Sequence, residues 1–334
     1  MEPEPPAPSE PATDAWDWRL AQAGDLGPVH PTLLRHLALP LLRRLEDGLR
    51  TGAARRHPLL ALNGPVGAGK TSLGRALERL AALGGLKLVV VSIDDLYRPA
   101  RERRALLAGN PFGVSRVPPG SHDLPLLMDA LARWRARGTL RLPRFDKTLA
   151  GGDGERSGWR EDPAEALLIE GWLMGCRALG PQALGERMGS GAGLEPLNEL
   201  ERRWLPRWDG HLAAYEELWS ACDGLWLLRP ERWSLPRRWR FQAEARQRRS
   251  GGGWLDGSQL EGLVRASLHS LPPALYQDPL LRSHGELAEG WPRKAEAAGS
   301  GVPLMGGVIL DGRRRARPLG AQLSSPASAS SAIG

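Results

Sequence analysis

From residue 59 to residue 310, short apolar runs alternate with longer stretches in which apolar residues recur every three or four positions. The short runs are Leu59–Leu62, Lys87–Ile93, Leu140–Pro143, Ala166–Ile169, Gly224–Leu228 and Gly307–Leu310, and they read as strands. The amphipathic stretches 70–83, 122–137, 208–220, 231–248, 257–269 and 272–282 read as helices. Such alternation predicts an α/β fold, a mostly parallel sheet with helices on both faces. Residues 31–50 repeat Leu at helical spacing with Pro40 as an interruption, predicting a helix or a broken pair packed on the main domain. The polar, glycine-rich segments Ala150–Gly158 and Gly189–Gly193 read as surface loops, and Ser250–Gly253 as a short break between helices. No internal repeat is present.

The ends differ in kind from this middle. Residues 1–14 are mostly Pro, Glu and small residues, which supply little to bury. The expected organisation is a disordered tail over 1–28, one domain with an N-terminal helical extension over 29–312, and a low-complexity, disordered tail over 313–334. The acidic, proline-rich start lacks the apolar core of a signal peptide and the basic character of a transit peptide. No apolar run approaches membrane-spanning length, so no membrane association is expected. The two cysteines, Cys176 and Cys222, cannot build a disulfide framework or a CxxC metal site, which fits a reducing cytoplasm. The thirteen Trp read as core and helix-packing residues.

Lys and Arg exceed Asp and Glu by 45 − 38 = 7, which favours anionic partners. Nucleotide phosphates or nucleic acid would both satisfy that bias. The excess is scattered along helices rather than gathered into a patch, which speaks against nucleic acid.

The sharpest signal follows the first strand. Gly64-Pro65-Val66-Gly67-Ala68-Gly69-Lys70-Thr71-Ser72 has the form GxxxxGKT, with a strand before it and a helix after it. Gly64, Gly67 and Gly69 let backbone amides, with those of Ala68 and the helix start, approach phosphate oxygens without Cβ clashes. The helix beginning near Lys70 aims its positive end at them. Lys70 reaches the β- and γ-phosphates of ATP, the Thr71 hydroxyl ligates Mg²⁺, and Ser72 completes the loop. A P-loop alone does not separate a small-molecule kinase from a GTPase, a motor or a DNA-handling ATPase.

Two further strands end in acids. Val89–Ile93 runs into Asp94-Asp95, and Ala166–Ile169 into Glu170. In a parallel sheet the carboxyl ends of strands face the ligand crevice. One member of the Asp pair can accept the proton of an attacking hydroxyl, and Glu170 can hold Mg²⁺ opposite Thr71. The plainer alternatives are a helix cap for the Asp pair and an ion pair with an Arg for Glu170.

These elements, in this order, resemble the phosphoribulokinase/uridine kinase branch of P-loop kinases. More narrowly, the chain resembles the plant- and cyanobacterial-type D-glycerate 3-kinase family. The residues that carry the likeness are SIDDLY (92–97), AGNP (108–111), R-x-x-PGSHDLPL (116–126), LPRFDK (142–147), LIEGWLMG (168–175), the stretch LNEL…Y…LW (197–219) and RWRFQAE (238–244). The likeness covers about residues 58–285. It implies a P-loop fold with a helical lid and the transfer of the γ-phosphoryl of MgATP to the C3 hydroxyl of D-glycerate. It also implies a role in photorespiratory glycerate recycling. By the same likeness Asp94 is the catalytic acid-base residue, Asp95 a contact to the metal or its water, and Glu170 the magnesium-associated acid. Two departures stand out. Leu96 replaces a usual aromatic, and Val117-Pro118 replaces a more glycine-rich segment, which leaves the correspondence of Arg116 open.

A small hydroxy acid needs a cation for its carboxylate and acceptors for its hydroxyls. Arg116, His122, Asp123, Arg144 and Lys147 supply that set. Helix capping by Ser121 or Asp123, a structural role for His122, and solvated charges at Arg144 and Lys147 are the alternatives. Arg238 and Arg240, in the helix 231–248, match the lid motif and would meet the transferring phosphate; the alternative is a solvated helix face. Uridine, pantothenate or a sugar phosphate as acceptor remains the nearest rival, with Tyr97 and Phe145 as a platform for a base. A nucleic-acid-handling ATPase is the rival from another class. The sequence leaves the oligomeric state open, and a monomer is compatible with it.

Overall fold

The protein is described here by a computed structural model in which residues 15–249, 255–282, 291–292 and 301–319 are placed. Its strands are β1 (Leu59–Asn63), β2 (Leu88–Ser92), β3 (Thr139–Asp146), β4 (Glu155–Pro163), β5 (Ala166–Gly171), β6 (Gly224–Pro230), β7 (Leu304–Leu310) and β8 (Ala316–Pro318). Six of them form one sheet in the order β2-β5-β1-β6-β7-β8, parallel throughout except for the β7–β8 pair. β3 and β4 form a separate antiparallel hairpin.

β1 lies at the centre, with β5 and β6 as neighbours, and it is buried along its whole length. Leu59 and Ala61 enter one core with Ile169 and Leu227, whereas Leu60 and Leu62 enter the other with Leu168 and Leu228. Alternate side chains of a strand point to opposite faces. With helices on both faces, every position before the terminal Asn63 is apolar, so β1 reads as a continuous run and not an alternating one.

The helices are α1 (Ala15–Gln22), α2 (Pro31–Leu33), α3 (Leu39–Arg50), α4 (Lys70–Leu83), α5 (Ala100–Leu106), α6 (Leu124–Arg137), α7 (Pro181–Ser190), α8 (Glu199–Leu212), α9 (Glu216–Ala221), α10 (Leu235–Arg249), α11 (Gly257–His269), α12 (Pro273–Tyr276) and α13 (Pro279–Arg282). α4, α6, α10 and α11 fall where the periodicity puts them. Pro40 does not break the segment 31–50. It sits in the first turn of α3, and a π-helical stretch, Leu34–Ala38, joins α2 to α3. Pro is tolerated in a first turn, where its missing N–H has no helical partner to lose.

Three expectations change. The loop expected at 150–158 contains most of the turn and the start of β4, a strand half exposed on both faces and therefore without an apolar signature. The stretch before Gly191 is helical, forming α7. The two tails are also not where the sequence put them. Within 1–28, residues 15–22 form α1, and Arg19 pairs with Glu46 at 2.6 Å. Within 313–334, residues 316–318 form β8, and the Ala316 amide donates to the Thr32 hydroxyl at 2.7 Å. Ser250–Gly253 and the remaining tail residues lie outside the described residues.

Candidate active site

The carboxyl ends of β1, β2 and β5 open into a cleft of about 700 Å³. Its floor is the P-loop. The Gly64 amide donates to the Gly171 carbonyl at 3.0 Å, tying the loop to the end of β5. Gly67 and Gly69 hold left-handed φ values of 75° and 91°. A Cβ on Gly67 would lie 2.8 Å from the Arg240 nitrogen and from Trp239 Cβ, so only glycine admits α10 this close. Gly67, Gly69, Lys70, Thr71 and Ser72 line the cleft. Gly64 and Ala68 shape it from behind: Gly64 packs against Leu228, and Ala68 is buried.

Lys70 Nζ donates to the Pro65 carbonyl at 3.1 Å and stands 3.9 Å from Glu170 Oε2. The Thr71 hydroxyl donates to Glu170 Oε1 at 3.3 Å. Burial pushes the Glu170 carboxyl up, reinforced by the nearby Asp94 charge and opposed by Lys70. Thr71 and Glu170 fit a hard cation that takes oxygen ligands and keeps several waters. Among the described residues no cluster of three His, Cys, Asp or Glu forms a dedicated metal cage. A Mg²⁺ ion here would therefore share its coordination with phosphate oxygens and water.

Asp94 lies across the cleft from this group. It follows β2 in a short 3₁₀ turn, Ile93–Leu96. Tyr97 donates its hydroxyl to Asp94 Oδ1 at 2.7 Å, Lys147 Nζ lies 3.7 Å from Oδ2, and His122 Nε2 lies 3.9 Å from Oδ1. Burial alone would raise the Asp94 carboxyl. His122, Lys147 and Tyr97 together outweigh it and hold the group below the ordinary carboxylate range, so Asp94 is ionised. His122 is itself buried, with its Nδ1 2.6 Å from the Tyr215 hydroxyl and its ring stacked on Tyr97 at 4.8 Å. Burial depresses its pKa, which favours the neutral imidazole despite Asp94. His122 thus reaches the site through Asp94; it does not line the cleft.

Arg116 and Lys147 form the cationic wall of the cleft. Arg116 is buried and donates from Nη1 to the Gly152 carbonyl at 2.7 Å, which fixes its guanidinium against the 150–154 turn. Val117 takes a φ of +92°, a region that favours glycine, so the chain keeps a glycine-like backbone here with a β-branched residue. Leu96 is fully buried. Behind this wall Arg103, with no exposed surface, donates to the carbonyls of Arg98, Ser115, Asp153 and Gly154 and stacks over Tyr97 and Phe145.

The chain resembles known proteins in sequence and in fold. Over 236 residues, 66% of this chain, it is 28% identical to the chloroplastic D-glycerate 3-kinase of Arabidopsis thaliana. It is also 28% identical over 198 residues to an uncharacterised kinase of Schizosaccharomyces pombe. The D-glycerate 3-kinase structure from Cryptococcus neoformans superposes with a TM-score of 0.66 at 25% identity, covering 84% of this chain and 96% of that one. The chain is thus similar to D-glycerate 3-kinases in sequence and in fold. It spans about half the length of the chloroplastic relative (49%) and 69% of the fission-yeast one. It matches no protein-family model.

Not every residue expected at the site lines the cleft. Asp95, expected as a contact to the metal or its water, does not, and burial, reinforced by the Asp94 charge, raises its carboxyl. Asp123 caps α6, accepting from the Leu126 amide at 3.2 Å, and pairs with Arg156 at 2.7 Å. Arg144 is exposed on β3, outside the cleft. In α10, Arg240 lines the cleft and pairs with Glu244 at 2.8 Å, whereas Arg238 is exposed and faces away from it. The sequence reading also missed Ser92 and Trp172, which line the cleft from the ends of β2 and β5, and Arg314. Ser92 and Trp172 adjoin residues already singled out. Arg314 lay in a stretch set aside as low-complexity.

Proposed function

We propose that this kinase transfers the γ-phosphoryl of MgATP to the C3 hydroxyl of D-glycerate, giving 3-phosphoglycerate and ADP. The observation that carries the reading is the juxtaposition, in one cleft, of ionised Asp94, the P-loop group and a wall made by Arg116 and Lys147. A small anionic acceptor fits that wall: its carboxylate meets two cations while one hydroxyl meets Asp94. Similarity to the D-glycerate 3-kinases supports the same acceptor.

In this mechanism Lys147 and Arg116 orient the carboxylate, and Asp94 accepts the proton of the hydroxyl as it attacks in line. Tyr97 and His122 keep the Asp94 carboxylate fixed and charged. Lys70 and Arg240 stabilise charge on the transferring phosphoryl group. Thr71 and Glu170 would hold Mg²⁺, which when bound would neutralise phosphate charge. Turnover of this kind suits a cytoplasmic enzyme that returns glycerate to 3-phosphoglycerate, as photorespiratory recycling requires.

A nucleoside acceptor would need an open aromatic platform. Tyr97 is fully buried, Arg103 lies over the Phe145 ring at 5.1 Å, and neither ring lines the cleft. An ADP-release assay across D-glycerate, L-glycerate, uridine and pantothenate tests the reading, and phosphorus NMR of the product fixes the position of transfer. No turnover with D-glycerate would overturn it.

A further inference from the structure

Arg314 sits at the tip of the turn between β7 and β8 and reaches the back of the P-loop. The turn is rigid. Asp311 accepts from the amides of Arg313 and Arg315 through its carboxylate and from the Arg314 amide through its carbonyl. Arg314 itself holds a left-handed φ of 62°, a conformation that persists in a non-glycine residue only where its surroundings impose it.

Those surroundings are two carbonyls and one ring. Nε donates to the Gly67 carbonyl at 2.9 Å and Nη2 to the Trp239 carbonyl at 3.1 Å. The guanidinium carbon stands 5.5 Å from the Trp239 ring centroid, and the Trp239 indole N–H donates back to the Gly312 carbonyl at 3.2 Å. One side chain therefore braces the P-loop apex, α10 and the β7–β8 turn together. A peptide unit is planar, with its C=O and N–H directed oppositely. Fixing the Gly67 carbonyl therefore also fixes the Ala68 N–H, which donates to the Pro65 carbonyl at 3.3 Å within the loop. Backbone amides of such a loop are the groups that receive phosphate oxygens.

We infer that Arg314 is a positioning residue for the phosphoryl donor. It sets the Gly67–Ala68 peptide plane and docks α10, with Arg240, beside the loop. The inference rests on the nucleotide site of the proposed function but not on the identity of the acceptor.

The test is calorimetric binding of MgATP to the full chain without acceptor, alongside steady-state kinetics. Arg314→Ala is expected to weaken MgATP binding about tenfold and to raise the KM for ATP by a similar factor, about 1.4 kcal/mol. The KM for the acceptor at saturating ATP should stay within about twofold, because Arg116 and Lys147 are untouched. Arg314→Lys keeps the charge but cannot fork to both carbonyls, and should recover less than half of the loss on a logarithmic scale. Unchanged affinity in Arg314→Ala, or full recovery in Arg314→Lys, would overturn the inference. If Arg314→Ala fails to fold, Arg314→Lys decides alone: wild-type affinity overturns the brace, and weaker binding with an unchanged acceptor KM supports it. Wild-type protein that binds MgATP yet phosphorylates no tested acceptor counts against the proposed acceptor and leaves this comparison intact.

Discussion

The two sides of the cleft are built by different means. On the phosphate side, one contiguous segment from Gly64 to Ser72 supplies nearly everything, and much of its work is done by backbone amides. On the acceptor side, Asp94 depends on Tyr97, His122, Tyr215 and Lys147, and the cationic wall depends on Arg116 held by Gly152. These residues come from four separate stretches, 94–97, 116–122, 147–152 and 215, and act mostly through side chains. The phosphate side is therefore built largely within one segment, which Arg314 braces from outside, and the acceptor side by tertiary contacts that no single segment specifies.

That contrast can be broken or sharpened by substitution. The largest effect is expected at Asp94. Asp94→Asn keeps the shape and an acceptor for Tyr97 but removes the base, so kcat should fall by about 10² to 10⁴ with little change in melting temperature. Near-normal turnover would show that the acceptor side is only a binding wall. Next comes Arg103, which touches neither substrate site. Arg103→Met leaves four carbonyls without their donor and should cost about 3 kcal/mol or more, read from urea unfolding. A loss of under about 1 kcal/mol would mean that the wall does not depend on this buried frame.

Asp123→Ala should cost about 1–2 kcal/mol of stability through the lost cap, with kcat changed far less than in Asp94→Asn. A kcat loss as deep as that of Asp94→Asn would return Asp123 to the catalytic group. The smallest effects are expected at Arg144 and Arg238. Their alanine variants should shift stability by no more than about 0.5 kcal/mol and leave kcat/KM within about threefold. A larger kinetic loss at Arg238 would show that α10 moves during turnover to bring that side chain in.

The same contrast decides what could be read from the sequence. β1 and β5 are legible because burial on both faces makes each an apolar run, and β2, at the sheet edge and only partly buried, because its LVVV run is apolar too. Lys70, Thr71, Asp94 and Glu170 are legible because each sits at or just beyond the end of such a run. β4 is not, since its residues (ERSGWREDP) alternate between partial and full exposure. Asp123 and Lys147 look alike as candidates in sequence. What separates them is the partner each finds: Arg156, 33 positions away, engages Asp123 outside the cleft, whereas Lys147 pairs with Asp94 inside it. Arg314 carries no periodic or motif signal; only the pairing of β8 with β7 brings it to the P-loop.

β8 has a further consequence for handling the protein. β7 is buried at all seven positions, LMGGVIL, and its outer hydrogen-bonding edge is partly covered by three residues, Ala316–Pro318. A gene fragment ending before residue 313 would leave that edge bare, offering unpaired amides and carbonyls along an apolar, β-prone segment. Strands exposed in this way template the pairing of further chains. A fragment ending before residue 313 is therefore expected to self-associate more, by analytical ultracentrifugation, than one ending after residue 318.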